Sequence, residues 1–200
     1  MAQDRGEQAG QLQRCAAALQ SRRRWAEAEA VAGRASALVE HEPDAPALGR
    51  TLQALAGTLD DLGAHGRAET LYRRAATILS ALPPEGPDDA VRIRCARGLA
   101  GNLRMQSRYD EADVILTAAL ALSEQLLGPS DVDTVATLTA LGLVCEDRRR
   151  PEEAEELYRQ ALARAEGGAG CDPDEVAGIA AALSGLLERR SPAPLLPTGP

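Results

Sequence analysis

The segment Tyr109-Asp110-Glu111-Ala112-Asp113 occurs in four variants along this chain. The other three are Trp25-Ala26-Glu27-Ala28-Glu29, Gly66-Arg67-Ala68-Glu69 and Pro151-Glu152-Glu153-Ala154-Glu155. Along the chain, the shared alanines of the four segments, at 28, 68, 112 and 154, lie 40, 44 and 42 residues apart. Self-similarity at a period of this size is typical of stacked copies of one supersecondary unit. The alanine at the same place in each copy allows two helices to cross closely. The sequence therefore predicts a repeat protein.

The composition favours an all-α fold. Of the 200 residues, 44% are hydrophobic but only 2% are aromatic, and phenylalanine is absent. A core made of Ala, Leu and Val suits closely packed helices better than sheets, because Ala and Leu are strong helix formers. The abundance of Ala and Arg also indicates a high-G+C bacterial genome.

Charge and motif content exclude several classes of function. The net charge of −8 repels a phosphate backbone, so we expect no nucleic-acid partner. All 22 basic residues are arginine, which removes the phosphate-loop lysine and Schiff-base chemistry. No metal cluster, phosphate-binding loop or pair of nucleophile and base stands out. We therefore expect no cofactor and no enzyme activity.

The sequence also predicts a cytoplasmic protein without a membrane partner. No apolar run approaches the roughly 18 residues that a membrane span needs, and the first residues are polar. The spacing of Cys15, Cys95, Cys145 and Cys171 indicates neither a disulfide framework nor a zinc site. Cys15 and Cys145 lie on apolar stripes and are expected to be small core residues, whereas Cys171 is expected to be exposed.

Each repeat unit is predicted to be a pair of amphipathic helices. In the second unit, Leu52, Leu55, Ala56 and Leu59 follow the spacing of three and four residues that places them on one helix face. The predicted organisation is a flexible N-terminus (1–9), a helical solenoid (10–190) and a disordered Pro-rich tail (191–200). Within the solenoid, the units cover about 10–42, 46–83, 88–128 and 131–167, and a single capping helix covers 173–190. Tyr72 and Tyr158 occupy the same repeat position and are predicted to be packing residues.

These features resemble tetratricopeptide repeats. The closest phrases are Arg67-Ala-Glu-Thr-Leu-Tyr-Arg-Arg-Ala75 and Glu152-Glu-Ala-Glu-Glu-Leu-Tyr-Arg-Gln-Ala-Leu162. The usual period is about 34 residues, whereas the longer period here is similar to the variant found in kinesin light chains and many bacterial proteins. The resemblance implies a right-handed α-solenoid of four helix pairs plus the capping helix. It further implies that the first helices line a concave groove that captures peptides.

The resemblance does not extend to the recognition residues of the better known members. The light-chain variant usually carries an asparagine pair on the first helix, where this chain has Gln53-Ala54, Arg97-Gly98 and Thr139-Ala140. The Lys/Asn clamp of chaperone-binding members is also absent, because the chain has no lysine. Neither the cargo of the light chains nor that of the chaperone binders is therefore expected here.

One face of the third unit carries a stripe of arginines that is a candidate ligand site. Arg94, Arg97, Gly101, Arg104 and Arg108 follow helical spacing, and guanidinium groups suit an acidic segment or a C-terminal carboxylate of a peptide. Alternatively, the stripe is a solvated face whose charges are neutralised by neighbouring acids such as Asp60, Asp61, Glu146 and Asp147. The full set of groove candidates is Gln53, Asp60, Arg94, Arg97, Gly101, Arg104, Arg108, Thr139 and Glu146.

Two arginine triplets, residues 22–24 and 148–150, occupy the same turn of the first and fourth units. They either stabilise the negative end of a helix dipole or form a surface on which an anionic partner docks. If the terminal helix leaves Leu186 and Leu187 uncovered, stacking of two molecules would hide them. The predicted function is a non-catalytic module that binds a peptide or protein. The alternative is a sensor or assembly subunit of a bacterial signalling system, either ATPase-associated or peptide-responsive.

Overall fold

The computed structural model describes residues 2–22, 24–39, 46–168 and 170–190, which form helices and connecting turns without a strand. The helices are α1 (Ala2–Ser21), α2 (Trp25–Val39), α3 (Pro46–Asp61), α4 (His65–Ser80), α5 (Asp89–Met105), α6 (Tyr109–Leu126), α7 (Val132–Asp147), α8 (Pro151–Gly167) and α9 (Pro173–Arg190). These bounds confirm an all-α fold of four helix pairs followed by a single terminal helix.

Local sequence explains where the helices of each unit turn. Gly63, Ser107 and Arg149 occupy the same repeat position between the two helices of their units, and all three have positive φ angles (77°, 61° and 58°). A left-handed residue at this position ends the first helix, and glycine adopts it most easily. At the start of α7, the Asp131 side chain caps the helix by accepting a hydrogen bond from the Asp133 amide (2.9 Å).

The helices form two layers in a right-handed solenoid. Consecutive first helices contact one another, since α3 contacts α1 and α5, and α5 contacts α7. Among the described residues, the second helices α2, α4, α6 and α8 pack on first helices and make no comparable contacts with each other. In a curved stack of helix pairs, the layer whose helices contact one another lies on the inside of the curve. The first helices therefore line the concave side.

Glycine and tyrosine residues interlock within the core. Tyr158 of α8 is fully buried and lies against Gly142 of α7, while Tyr72 of α4 is 4% exposed and lies against Gly98 of α5. Burial raises the pKa of both tyrosines above its ordinary value. The prediction that Tyr72 and Tyr158 are packing residues is confirmed.

Two expectations need correction. The sequence predicts a flexible N-terminus over 1–9, but α1 already begins at Ala2, because Ala, Gln, Glu and Arg continue a helix readily. Cys15 was predicted to be a core residue and is exposed, since its side of α1 lines an open cavity, whereas Cys145 is buried as expected. The condition set for stacking of two molecules is met only in part, because Leu186 is buried against α7 and α8, whereas Leu187 is 38% exposed. The tail, 191–200, lies outside the described residues.

None of the helices in the described parts of the chain is long and apolar enough to span a bilayer.

Candidate partner-binding groove

The predicted groove residues lie on the three central first helices. Helix α3 carries Gln53 and Asp60, α5 carries Arg94, Arg97, Gly101 and Arg104, and α7 carries Thr139 and Glu146. All eight are partly exposed. These helices form the inner layer, and a role of the eight side chains in ligand binding stays a prediction.

The centre of the groove has more positive than negative charge. Arg94 Nη1 donates to Asp133 Oδ2 (2.7 Å), and Arg97 Nη1 donates to Asp133 Oδ1 (3.0 Å) and to the Asp133 carbonyl (3.2 Å). Two guanidinium groups thus share one carboxylate, whose side chain is only 8% exposed. Within the described residues, the Nε and Nη2 donors of both arginines have no partner. The pair is therefore positioned by Asp133 and retains donors for an incoming anion.

Arg104 differs from this pair because its charge is neutralised. Its Nη1 donates to Asp147 Oδ2 at 2.8 Å. Glu146, on the same helix as Asp147, accepts hydrogen bonds from the Tyr158 hydroxyl (2.7 Å) and from Arg189 of α9. Arg104 thus fits the interpretation of a neutralised face, whereas ligand binding by Arg94 and Arg97 stays a prediction. The role of Asp133 was missed, although its distance of about one repeat from Arg94 is a signal that could have revealed it.

The prediction that Arg108 continues the arginine stripe is wrong. Helix α5 ends at Met105, and the left-handed Ser107 redirects the chain, so the spacing of α5 no longer applies. Arg108 lies at the start of α6 and donates to Glu69 (2.8 Å) and Glu111 (2.6 Å). It belongs to the outer layer and joins the second unit to the third.

Glu69 is the centre of this joint. It accepts hydrogen bonds from Arg108, from Arg73 (2.9 Å) and from Gln106 (3.1 Å). Burial alone would raise the pKa of the Glu69 carboxyl, but the hydrogen bonds from Gln106, Arg73 and Arg108 outweigh it and hold the pKa below its ordinary value. The ionised form of Glu69 therefore stabilises the joint.

This geometry predicts acid-sensitive stability. Because the folded pKa of Glu69 lies below its unfolded value, its stabilising effect is present above the unfolded pKa and is lost as the pH falls through the folded one. We expect Glu69→Gln to lower the free energy of unfolding at pH 7 and to flatten its decline below about pH 5. Urea unfolding between pH 7 and 3 measures both effects. Glu166→Gln, at an exposed position of α8, should change neither, and an unchanged pH profile in Glu69→Gln would contradict the assignment.

The groove also contains exposed apolar side chains that the sequence analysis missed. Met105 at the end of α5 is 60% exposed, and Leu143 of α7 is 37% exposed. Leu143 occupies the repeat position of Gly101, which was a usable signal. A Cβ added to Gly101 would meet no other atom within 4 Å, so the backbone of α5 is accessible there. The groove can thus contact both charged and apolar parts of a ligand.

The groove does not contain a metal site in the part of the chain that the structure describes. No group of three or more His, Cys, Asp or Glu side chains there could hold an ion.

Comparison with known proteins gives one family match and several structural ones. Residues 92–167 match the family model of the tetratricopeptide repeat. No curated protein matches the chain.

Solved structures with the same fold come from proteins of low sequence identity. BtubC (BKLC) from P. vanneervenii is 18% identical, with a TM-score of 0.73 over 92% of this chain and 73% of the other. Tetratricopeptide-like repeats of a putative kinesin light chain from Podosopora anserina are 18% identical, with a TM-score of 0.70 over 92% and 93% of the two chains. The apo form of RapI is 14% identical, with a TM-score of 0.73 over 92% of this chain and 64% of RapI. At these identities the likeness concerns the fold.

Proposed function

We propose that this chain, in which residues 92–167 match the tetratricopeptide repeat, is a non-catalytic interaction module whose α3, α5 and α7 groove holds a peptide or a segment of a partner protein. The observation that carries the proposal is the sharing of Asp133 by Arg94 and Arg97. A pair of arginines with one carboxylate between them is a preformed anion site, since their side chains are already ordered and need not lose that freedom on binding.

The ligand that fits this groove has an acidic residue or a C-terminal carboxylate. A carboxylate can take two parallel hydrogen bonds from one guanidinium, and Arg94 and Arg97 both have donors available for it. Gly101 allows the ligand backbone to approach α5, and the exposed Met105 and Leu143 suit an apolar side chain beside the acidic one. Asp60 and Glu146 have their own hydrogen-bond partners and contribute shape more than charge.

A regulatory sensor is the second candidate. A solved structure of a Rap protein complexed with competence and sporulation factor shares this fold, with a TM-score of 0.69 and 17% identity. The match covers 87% of this chain and 46% of the Rap chain. By this analogy, the groove would bind its peptide only when a signal is present. Self-association through α9 rests on the exposed Leu187 alone.

A peptide selection with a charge-reversed control tests the proposal. Random twelve-residue peptides are displayed and selected on the wild-type protein, and the affinity of the enriched peptides is then measured by fluorescence anisotropy. We expect enrichment of acidic residues, and we expect Arg97→Glu to weaken binding at least tenfold with unchanged helicity. Arg159→Glu is the matched control, because Arg159 is 58% exposed on α8 in the outer layer. Equal binding to Arg97→Glu and wild type would refute the groove assignment.

A further inference from the structure

A cavity of about 570 Å³ lies at the α1 end of the solenoid, far along the chain from the groove centre. Its walls include Gln11, Leu12 and Cys15 from α1, and Arg34 and Leu38 from α2. Gln11, Cys15 and Arg34 are exposed, while Leu12 and Leu38 are partly buried. We call this surface the end face.

The repeat position of Cys15 is buried in all three later units, and that of Gln11 is buried in the third and fourth units. The position of Cys15 is held by Leu55, Leu99 and Leu141, which are 0%, 5% and 5% exposed. The position of Gln11 is held by Cys95 and Thr137 in the third and fourth units, and both are fully buried. At these two positions the first unit therefore presents to solvent a surface that the third and fourth units cover.

The covering element in the later units is the second helix of the preceding unit. In the third unit, the Cys95 thiol contacts the Tyr72 carbonyl of α4 (3.5 Å), and burial raises the pKa of Cys95 to about 12. At the other end of the same contact, Arg92 donates to the carbonyls of Leu79 (3.1 Å) and Leu82 (3.0 Å). The covering helix thus runs antiparallel to the first helix that it covers. Its C-terminal end lies beside the start of that helix.

The covering helices also supply a carboxylate near their own N-terminal ends. Gln106 donates to Glu69 of α4 (3.1 Å), and Arg148, at the same position of the next unit, pairs with Asp113 of α6. Glu69 and Asp113 are themselves at equivalent positions of their helices. Arg22 occupies the position of Gln106 and Arg148 in the first unit and is exposed. Among the described residues, no carboxylate pairs with Arg22 or Arg34.

We propose that the end face binds an amphipathic helix of a partner protein, which runs antiparallel to α1 and places a carboxylate of its first turns against Arg22. The apolar side of this helix covers Leu12, Cys15 and Leu38, as α4 covers α5. Its C-terminal end lies near Arg34, where the helix dipole favours a cation. The proposal concerns a different surface from the groove and does not depend on a groove ligand.

A second copy of this chain is a poorer occupant than a partner helix. Its second helices α4, α6 and α8 are already covered by α5, α7 and α9. The exposed residues of its terminal helix are mostly small or charged, as Ala181, Ser184 and Glu188 illustrate. The arginines Arg22 and Arg34 would also face an equally basic surface in a symmetric pairing of two end faces.

The test uses a synthetic peptide of residues 109–126, which is the sequence of α6 and carries Asp110 and Asp113. Binding is followed through the reaction of Cys15 with a chromogenic disulfide reagent, with Cys171 at the other end of the solenoid as the internal reference. We expect saturating peptide to slow the reaction of Cys15 at least tenfold and to leave that of Cys171 unchanged. Cys15→Ser and Cys171→Ser variants assign the two rates.

Matched changes separate the apolar from the ionic contribution. A peptide with Asp110→Asn and Asp113→Asn, and the protein variant Arg22→Glu, should each weaken protection of Cys15 by roughly threefold to tenfold. In the protein, Leu12→Glu should abolish protection of Cys15. Gln11→Glu, at an exposed position of the end face, should also weaken protection and serves as the second variant in case Leu12→Glu perturbs the folding of α1. In the peptide, Val114→Glu should leave protection of Cys15 unchanged, because Val114 is 71% exposed on α6 and does not lie on the covered side of that helix.

Two results would overturn the proposal. One is reaction of Cys15 at the same rate with and without peptide, or equal protection by the charged and the neutral peptide. The other is protection of Cys15 without any peptide as the protein concentration is raised, together with a doubled mass in light scattering. That second result would assign the end face to a second copy of the chain.

Discussion

Replacing Gly142 by alanine should lower the free energy of unfolding by about 1–3 kcal/mol, although alanine is the better helix former. A Cβ on Gly142 would lie 2.5 Å from Cε1 and 2.8 Å from Cδ1 of Tyr158. Tyr158 is fully buried and its hydroxyl donates to Glu146, so the ring cannot move aside without breaking other contacts. The added methyl group therefore forces either α7 or the ring of Tyr158 out of its packed position.

A double-mutant cycle isolates this contact. In a Tyr158→Ala background the obstructing ring is gone, and Gly142→Ala should instead raise the free energy of unfolding by about 0.5–1 kcal/mol, which is the ordinary gain for alanine in a helix. Gly101→Ala is the matched control in the wild-type background, because its new Cβ would meet nothing within 4 Å. Urea unfolding followed by circular dichroism measures all four variants. Destabilisation by Gly142→Ala that persists in the Tyr158→Ala background would contradict the steric explanation.

The fold could be predicted from the sequence because each unit repeats the same local rules. The alanines of the four variant segments are all buried, at 28, 68, 112 and 154. A pattern that recurs four times averages out local exceptions, and neighbouring units have the same shape. The helix pairs and the terminal helix followed from this regularity.

The errors occurred where regularity ends. The position of Cys15 is apolar and buried in the later units, so the repeat rule predicted a core residue, but Cys15 is exposed and lines an open cavity. The rule for α5 was extended to Arg108, which lies beyond the left-handed Ser107. Helical spacing carries no information about where a helix ends. Ser107 shares the repeat position of Gly63, and a glycine at that position indicates the end of the first helix of a unit.

The charge pairing in the groove could be predicted only in part. The sequence correctly suggested that acids neutralise some of the arginines, and Asp147 does so for Arg104. The sequence could not show which acid pairs with which arginine, because the distance between side chains of two units depends on the angle between their helices. The sharing of Asp133 by Arg94 and Arg97, on which the proposed function rests, is a product of that angle.

A buried polar network makes Asn102 the most sensitive single position at the joint between the second and third units. Asn102 is fully buried in α5, and its Nδ2 donates to Asp60 Oδ1 (2.7 Å) and to the His65 carbonyl (3.0 Å). Its Oδ1 accepts a hydrogen bond from Gln106 (2.7 Å). Asp60 is also 2.5 Å from Nδ1 of His65. One amide thus joins α5 to both helices of the preceding unit.

Asn102→Leu should therefore lower the free energy of unfolding by about 2–4 kcal/mol, since it removes hydrogen bonds to a partly buried carboxylate and to a carbonyl and leaves both without that donor. Gln125→Ala is the control, because Gln125 is exposed on α6, and we expect a loss of less than about 0.5 kcal/mol. Hydrogen exchange should rise more in α3 and α4 than in α7 and α8, because α5 remains anchored to the following unit. A loss below about 0.5 kcal/mol in Asn102→Leu, or exchange that rises equally along the solenoid, would show that the joint does not depend on this amide.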